Sequence, residues 1–222
     1  MTHPAKHFAA VLFDADGTLL DTLDDLADSM NDTLRHFGFP PHATERYKYF
    51  VGDGMENLVR RSVPDSVRND PATISGCLKM MRAQYERNWN NKTRPYAGIP
   101  ELLDGLAARG VKMAILSNKP DDFMQLMTRE LLPAWRFEVV MGERPPTPRK
   151  PDPTSALAIA GTLAVRPEDF LYLGDTATDM LTANAAGMFA VGALWGFRPS
   201  GELAEAGAKK LIATPAELLE LL

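Results

Sequence analysis

Short apolar runs recur along this chain and alternate with segments of helical periodicity, which restricts the folds open to it. The runs occupy residues 8–13, 111–116, 137–141, 170–173, 190–194 and, more weakly, 210–213. Nearly continuous apolar runs of this length are typical of strands buried on both faces of a parallel sheet. Helices between successive strands then cross over in the right-handed sense, which predicts a doubly wound α/β fold.

The interval between the first two apolar runs departs from this alternation because it is helical throughout. Leu23, Leu26, Met30 and Leu34 repeat at helical spacing, and a second stripe runs through residues 74–85. Such stripes usually form the core of a helix bundle. We therefore predict a small all-helical domain at residues 21–93, inserted into an α/β core domain formed by residues 1–20 and 94–222.

The composition limits the classes of partner and compartment. With 222 residues, 45% of them hydrophobic, the chain can bury a sizeable core. A net charge of −5 without a long basic run argues against a nucleic-acid partner. The single cysteine, Cys77, excludes an intrachain disulfide and fits a cytoplasmic location. Residues 1–7 lack the apolar stretch of a signal peptide, and no segment is apolar for long enough to span a membrane.

Two aspartates lie directly after the first apolar run. Asp14 and Asp16 would stand at the carboxyl end of the first strand, where open α/β sheets bind their ligands. Gly17 beside them permits a sharp turn or a close approach to a ligand. An Asp-x-Asp pair alone is also common in solvated turns, so its interpretation depends on the ends of the other strands.

The ends of three later strands carry chemistry that complements the two aspartates. Ser117 and Asn118 could hold a phosphate oxygen through a hydroxyl and backbone N–H groups, or could simply begin the next helix. Lys150 could neutralise charge on a phosphoryl group. Asp175 and Asp179 offer oxygen ligands that suit Mg²⁺, although both could instead cap the following helix. Together these groups predict phosphoryl transfer through an acyl phosphate.

The four motifs resemble those of the haloacid dehalogenase superfamily. They read Asp14-Ala15-Asp16-Gly17-Thr18-Leu19, Ser117-Asn118-Lys119, Lys150-Pro151-Asp152-Pro153, and Gly174-Asp175 with Asp179. The helical insertion resembles the C1 cap domain of that superfamily. Three further segments are similar to its phosphoglycolate phosphatase-like branch: Val51-Gly52-Asp53-Gly54, Tyr96-Ala97-Gly98-Ile99 and Leu194-Trp195-Gly196-Phe197.

The resemblance implies a Mg²⁺-dependent phosphatase that hydrolyses a small phosphate monoester through an aspartyl-phosphate intermediate. It implies that Asp14 attacks phosphorus, and that Asp16 protonates the departing alkoxide and then activates water. Ser117, Asn118 and Lys150 would bind the transferring phosphoryl group. The phosphoryl group carries about two negative charges near neutral pH, so a carboxylate nucleophile needs these neutralising partners.

The resemblance also implies a set of metal ligands and supporting residues. Mg²⁺ would be held by Asp14, by the backbone carbonyl of Asp16 and by Asp175. Asp179 would position the metal shell or the motif lysine, and Thr18 would support the first motif.

The cap would select the substrate, which we expect to be a small phosphorylated metabolite. Gly52, Asp53 and Gly54 are candidates for a loop that reaches the cleft, although a tight turn between cap helices explains them equally well. Cations available to meet an acidic substrate are Lys48, Arg60, Arg61 and Arg94. The motifs leave open a β-phosphoglucomutase-like phosphomutase or a pyrophosphatase of the same superfamily, and a non-catalytic binding module is a more distant alternative. They also leave open whether the protein is a monomer or a homodimer.

Overall fold

The computed structural model describes residues 8–222. Residues 1–7, which the predicted core domain includes and on which the signal-peptide expectation rests, lie outside that range. The strands are β1 (Ala10–Phe13), β2 (Leu20–Asp21), β3 (Arg94–Pro95), β4 (Lys112–Pro120), β5 (Val139–Glu143), β6 (Phe170–Gly174), β7 (Phe189–Ala193) and β8 (Lys210–Ile212).

The helices between these strands follow the predicted alternation. In the region before β3 they are α1 (Leu23–His36), α2 (Thr44–Tyr47), α3 (Met55–Ser62) and α4 (Pro71–Asn88). After β3 they are α5 (Ile99–Ala108), α6 (Asp121–Leu131), α7 (Thr154–Leu163), α8 (Ala177–Ala185) and α9 (Ser200–Glu205). Short 3-10 helices cover Asp65–Val67, Pro167–Asp169 and Pro215–Leu221.

Within residues 8–222, six strands form one parallel sheet in the order β5-β4-β1-β6-β7-β8. Alternate residues of each strand point to opposite faces. On β1, Val11 and Phe13 pack into one hydrophobic core, and Ala10 and Leu12 pack into another. Side chains of α5 and α6 cover the first face, and those of α7 and α8 cover the second. The predicted doubly wound α/β fold is confirmed.

The order of the strands places β1 between β4 and β6. From β1 the sheet extends to one edge through β4 and β5, and to the other edge through β6, β7 and β8. Ligands of open α/β sheets bind at such a switch point, beyond the carboxyl ends of the strands. β4 is longer than the predicted run 111–116, because its pairing with β5 shifts register after Leu116 and resumes at Pro120. Ser117 and Asn118 therefore lie in an irregular part of a strand and not in a loop.

The four helices α1–α4 lie between β2 and β3, which pair antiparallel at the two places where the chain enters and leaves this segment. The sequence did not predict these two short strands. The buried carboxylate of Asp25, on α1, accepts hydrogen bonds from the backbone N–H groups of Lys92 and Thr93 and so joins α1 to the exit segment. The domain limits 21–93 stay a prediction. No helix between residues 8 and 222 is both long and apolar enough to cross a bilayer.

Candidate active site

The carboxyl ends of β1, β4 and β6 bring the motif residues to one place. Asp14 follows β1 directly, Ser117 lies in β4, and Asp175 follows β6. Lys150 arrives from the loop between β5 and α7. All four are at least nine-tenths buried, so the charges among them interact in a medium that screens them weakly.

Lys150 joins two carboxylates of this cluster. Its Nζ lies 2.8 Å from Asp14 Oδ1 and 2.7 Å from Asp179 Oδ1, and it also donates to the backbone carbonyl of Leu116 at 3.2 Å. Burial disfavours the charged ammonium, but the two carboxylates outweigh burial and hold the pKa of Lys150 well above its usual range. The lysine is therefore a fixed positive charge against Asp14.

Asp175 is oriented by three neighbours on the other side of Asp14. Thr18 Oγ1 donates to its Oδ1 at 2.9 Å, and the backbone N–H of Phe197 donates to its Oδ2 at 2.7 Å. Gly17 has φ +85°, and a Cβ there would lie 2.3 Å from Asp175 Oδ2. A side chain at position 17 would therefore push the carboxylate out of place, which explains the glycine of the first motif.

Asp179 combines the two roles that the sequence left as alternatives. Its Oδ2 accepts hydrogen bonds from the backbone N–H and the hydroxyl of Thr176, which forms a capping box at the start of α8. Its Oδ1 accepts from Lys150 at 2.7 Å and from the hydroxyl of Tyr172 at 3.4 Å. The carboxylate that caps the helix thus also positions the lysine.

The cluster carries more negative than positive charge. Carboxylate oxygens of Asp14, Asp175 and Asp179 lie within 4.8 Å of one another, and Lys150 is the ammonium group in contact with them. Burial, and then repulsion by Asp179, raises the pKa of Asp14 to about 7, and burial with repulsion by Asp14 raises that of Asp175 well above its usual range. A divalent cation would offset this excess, so the donor set fits the hard, oxygen-preferring Mg²⁺.

Asp16, the second aspartate of the first motif, is paired with a lysine that the sequence analysis did not single out. Lys119 Nζ lies 3.0 Å from Asp16 Oδ1 and 3.1 Å from Oδ2. It also donates to the hydroxyl of Tyr85, on α4, at 2.9 Å, and lies 4.5 Å from the centre of that ring. Burial raises the pKa of Tyr85 to about 12, so its hydroxyl stays protonated. The position of Lys119 beside Ser117 and Asn118 is the sequence signal that could have identified it.

Asn118 holds the surrounding loops together through its side chain. Its Oδ1 accepts from the backbone N–H of Lys150 at 2.9 Å, and its Nδ2 donates to the backbone carbonyls of Lys150 and Gly52, each at 3.1 Å. The hydroxyl of Ser117 accepts from the backbone N–H of Lys119 at 3.3 Å. The predicted contact of Ser117 and Asn118 with a phosphoryl group remains a prediction.

The segment Val51–Gly54, which we call the cap loop, rests on the core domain beside this cluster. Arg198 donates to the carbonyl of Val51 at 3.2 Å, Asn118 to that of Gly52, and Arg149 to that of Asp53 at 3.0 Å. The Asp53 side chain accepts from Thr178 at 3.1 Å and is ion-paired with Arg61. Three consecutive carbonyls of the loop are therefore bound by three separate side chains of the core.

A cavity of about 30 Å³ separates the cap loop from the carboxylates. Asp14, Asp16, Ser117 and Lys119 line it from the core. Apolar side chains and glycines line it from the cap: Leu26, Val51, Gly52, Gly54, Met55 and Leu58. The volume holds only a few water molecules, which is less room than a phosphate ester needs.

Comparisons with known proteins identify the family to which the chain belongs. The sequence model of the family described as haloacid dehalogenase-like hydrolase matches residues 11–193. Phosphoglycolate phosphatase 1 of Pseudomonas aeruginosa is 31% identical over 212 residues, which are 94% of this chain and 78% of that protein. The phosphoglycolate phosphatase of Chromobacterium violaceum is 30% identical over 219 residues, or 98% of this chain and 97% of that protein.

A solved structure from Lactobacillus delbrueckii subsp. bulgaricus, described as a candidate phosphoglycolate phosphatase, superposes with a TM-score of 0.90. It is 29% identical in sequence, and the match covers 96% of this chain and 98% of that chain. The whole architecture, helical insertion included, is therefore similar to that of a solved protein.

Proposed function

We propose that this chain, which belongs to the haloacid dehalogenase-like hydrolase family, is a phosphatase that acts on small phosphate monoesters. Its first candidate substrate is 2-phosphoglycolate. The names of its relatives in P. aeruginosa and C. violaceum support that candidate. The observation that carries the reaction class is the contact of Asp14 with Lys150 at 2.8 Å, beside Asp175, at the switch point of the sheet.

Asp14 is the nucleophile in this proposal. One carboxylate oxygen attacks phosphorus, the bond from phosphorus to the ester oxygen breaks, and an aspartyl phosphate forms. Lys150 stabilises the charge on the phosphoryl oxygens because its ammonium is already fixed against Asp14. Ser117 binds those oxygens through its hydroxyl and Asn118 through its backbone N–H, because the Asn118 side chain already bonds Lys150 and Gly52.

Asp16 is the general acid and base. It donates a proton to the departing ester oxygen, and the resulting carboxylate takes a proton from the water that attacks the aspartyl phosphate. Its side chain lines the cavity next to Asp14, and Lys119 holds it in a fixed orientation. The products are the free alcohol and inorganic phosphate, and both aspartates return to their starting state.

Asp14, Asp175 and the backbone carbonyl of Asp16 would hold Mg²⁺. When bound, the ion neutralises negative charge on the phosphoryl group and on the surrounding carboxylates. Thr18 supports this set through its hydrogen bond to Asp175, and Asp179 acts on Lys150. The helical segment 21–93 acts as a cap that excludes water from the cavity and lines it with apolar side chains and glycines.

The test is a panel of phosphate esters assayed for phosphate release with Mg²⁺ and with chelator. We expect hydrolysis of 2-phosphoglycolate with Mg²⁺, loss of activity with chelator, and no activity in Asp14→Asn with either. The matched control is Asp152→Asn, which neutralises a half-buried aspartate of the Lys150 motif that bonds the backbone N–H of Thr154, and it should retain activity. Isomerised sugar phosphate without free phosphate, or undiminished hydrolysis by Asp14→Asn, would contradict the proposal.

A further inference from the structure

Lys119 is a positively charged side chain of the core domain that lines the cavity beside Asp16, where the leaving group of the proposed reaction would lie. Among the described residues that line this cavity, the charged ones are Asp14, Asp16 and Lys119. The cap contributes only apolar side chains and glycines to the lining. Lys150 is committed to Asp14 and Asp179, on the side of the transferring phosphoryl group.

The cap cations that the sequence suggested for an acidic substrate have other partners. Arg61 is paired with Asp53 and donates to the carbonyl of Phe50 at 3.2 Å. Arg60 is paired with Glu56, and Lys48 with Glu45. Neither these side chains nor that of Arg94, the fourth cation suggested by the sequence, lines the cavity in the described part of the chain. A second negative charge on the substrate would therefore meet Lys119 first.

The hydrogen-bond capacity of Lys119 allows this exchange. Its ammonium group has three donors, of which one reaches the hydroxyl of Tyr85 and the others reach the two oxygens of Asp16. A carboxylate of the substrate can take one donor from Asp16 while the bond to Tyr85 stays. A buried ammonium that is already held in place loses little conformational freedom when it binds the new partner.

We propose that Lys119 is a specificity-determining residue that binds a carboxylate carried on the carbon next to the ester oxygen. This inference rests on the proposed function. Because the ester oxygen must reach Asp16 and Lys119 Nζ lies 3.0 Å from Asp16 Oδ1, the group that binds Lys119 must be close along the substrate. Phosphorylated 2-hydroxy acids, of which 2-phosphoglycolate is the smallest, meet this requirement.

Tyr85 is the positioning residue of this subsite. It belongs to α4 of the cap, its ring packs 5.1 Å from that of Phe123 on α6, and its hydroxyl also lies 3.9 Å from Met127 Sδ. The hydroxyl and the ring face both act on the Lys119 ammonium. Lys119 is thus held in place from the cap side, and the subsite is complete only while α4 packs against the core.

The experiment compares two esters of nearly equal size: 2-phosphoglycolate and the analogue in which an uncharged amide group replaces its carboxylate. The quantity measured is the kcat/KM of the acid divided by that of the amide. We expect wild-type protein to prefer the acid. Lys119→Met should lower the ratio roughly 10- to 100-fold, the range for a hydrogen bond to a charged group. Lys119→Arg should recover part of the ratio, and Tyr85→Phe should lower it roughly 2- to 10-fold, because Lys119 loses one hydrogen bond that positions it but keeps its charge.

The ratio separates specificity from a purely structural role, which would lower kcat/KM for both esters equally. An unchanged ratio in Lys119→Met and Tyr85→Phe, or a ratio that falls instead in the cap variant Lys48→Met, would overturn the inference. A wild-type ratio near one would overturn it as well. If wild-type protein released phosphate from neither ester, the proposed function itself would fail, and the two failures are thereby distinguishable.

Discussion

Replacing Asp14, the proposed nucleophile, should stabilise the metal-free protein while it abolishes catalysis. Asp14 is buried beside Asp175 and Asp179, and the single ammonium of Lys150 does not balance the three carboxylates. Asp14→Asn keeps the shape of the side chain and removes one of the negative charges. The free energy of unfolding should therefore rise in this variant, although the ion pair with Lys150 is lost.

The pH dependence of this effect follows from the pKa of Asp14, which burial raises from 3.8 to about 7. A carboxyl with a higher pKa in the folded protein favours folding below both values and loses that contribution as pH rises from about 4 to about 7. This increase in the pKa of Asp14 corresponds to a loss of at most about 4 kcal/mol in the free energy of unfolding above pH 7. We expect about 1–4 kcal/mol, because the buried charges relax and water enters the cavity.

The assay is urea denaturation of wild-type and Asp14→Asn protein in chelator, from pH 5 to pH 8. The advantage of the variant should grow across this range and shrink when Mg²⁺ is added, because the ion stabilises only a site with its ligands. The matched control is Asp179→Asn in the same cluster. Its carboxylate accepts hydrogen bonds from Lys150, Tyr172 and Thr176, so this variant should lose about 1–3 kcal/mol. A less stable Asp14→Asn at every pH would refute the charge argument.

Two further pairs of substitutions, each a site variant with its control, test how the site is built. Gly17→Ala should lose activity and about 1–2 kcal/mol of stability, because its Cβ would meet Asp175 at a positive φ. The control is Gly38→Ala, at φ +73° with nothing within 4 Å, which should be destabilised but fully active. Equal activity in Gly17→Ala and Gly38→Ala would contradict a steric effect of residue 17 on Asp175. Asn118→Ala should lower activity and cost about 1–3 kcal/mol, because it releases two loops. Asn184→Ala is the control, because it also loses hydrogen bonds to backbone carbonyls but lies away from the site. It should keep its activity, so a loss of activity in Asn118→Ala alone would show an effect on catalysis.

The sequence predicted the sheet well because its strands are buried on both faces. The run Ala10–Phe13 and the run Phe170–Gly174 contain only apolar residues and glycine, so their period and length admit few alternatives. The pairing of β2 with β3 was missed because strands of two residues leave no periodic signal. The extension of β4 to Pro120 was missed because it depends on its register with β5, a property of two distant segments.

The motif residues of the core could be located from the sequence, since each follows a strand that the pattern predicts. The structure brings Asp14, Lys150 and Asp175 together, and their catalytic roles await experiment. The pairing of Lys119 with Tyr85 could not be predicted in the same way. Tyr85 belongs to an apolar stripe of α4 whose spacing is explained by packing alone, and only the fold shows that its hydroxyl reaches the site.

In the proposed reaction Asp14 becomes covalently phosphorylated, and this step can be measured. The measurement is rapid acid quenching of the enzyme during turnover of a radiolabelled phosphate ester with Mg²⁺, followed by peptide mapping of the label. We predict label on the peptide that contains Asp14, its disappearance once substrate is exhausted, and none in Asp14→Asn. Label on a different residue, or turnover by Asp14→Asn at the wild-type rate, would exclude Asp14 as the residue that is phosphorylated during turnover.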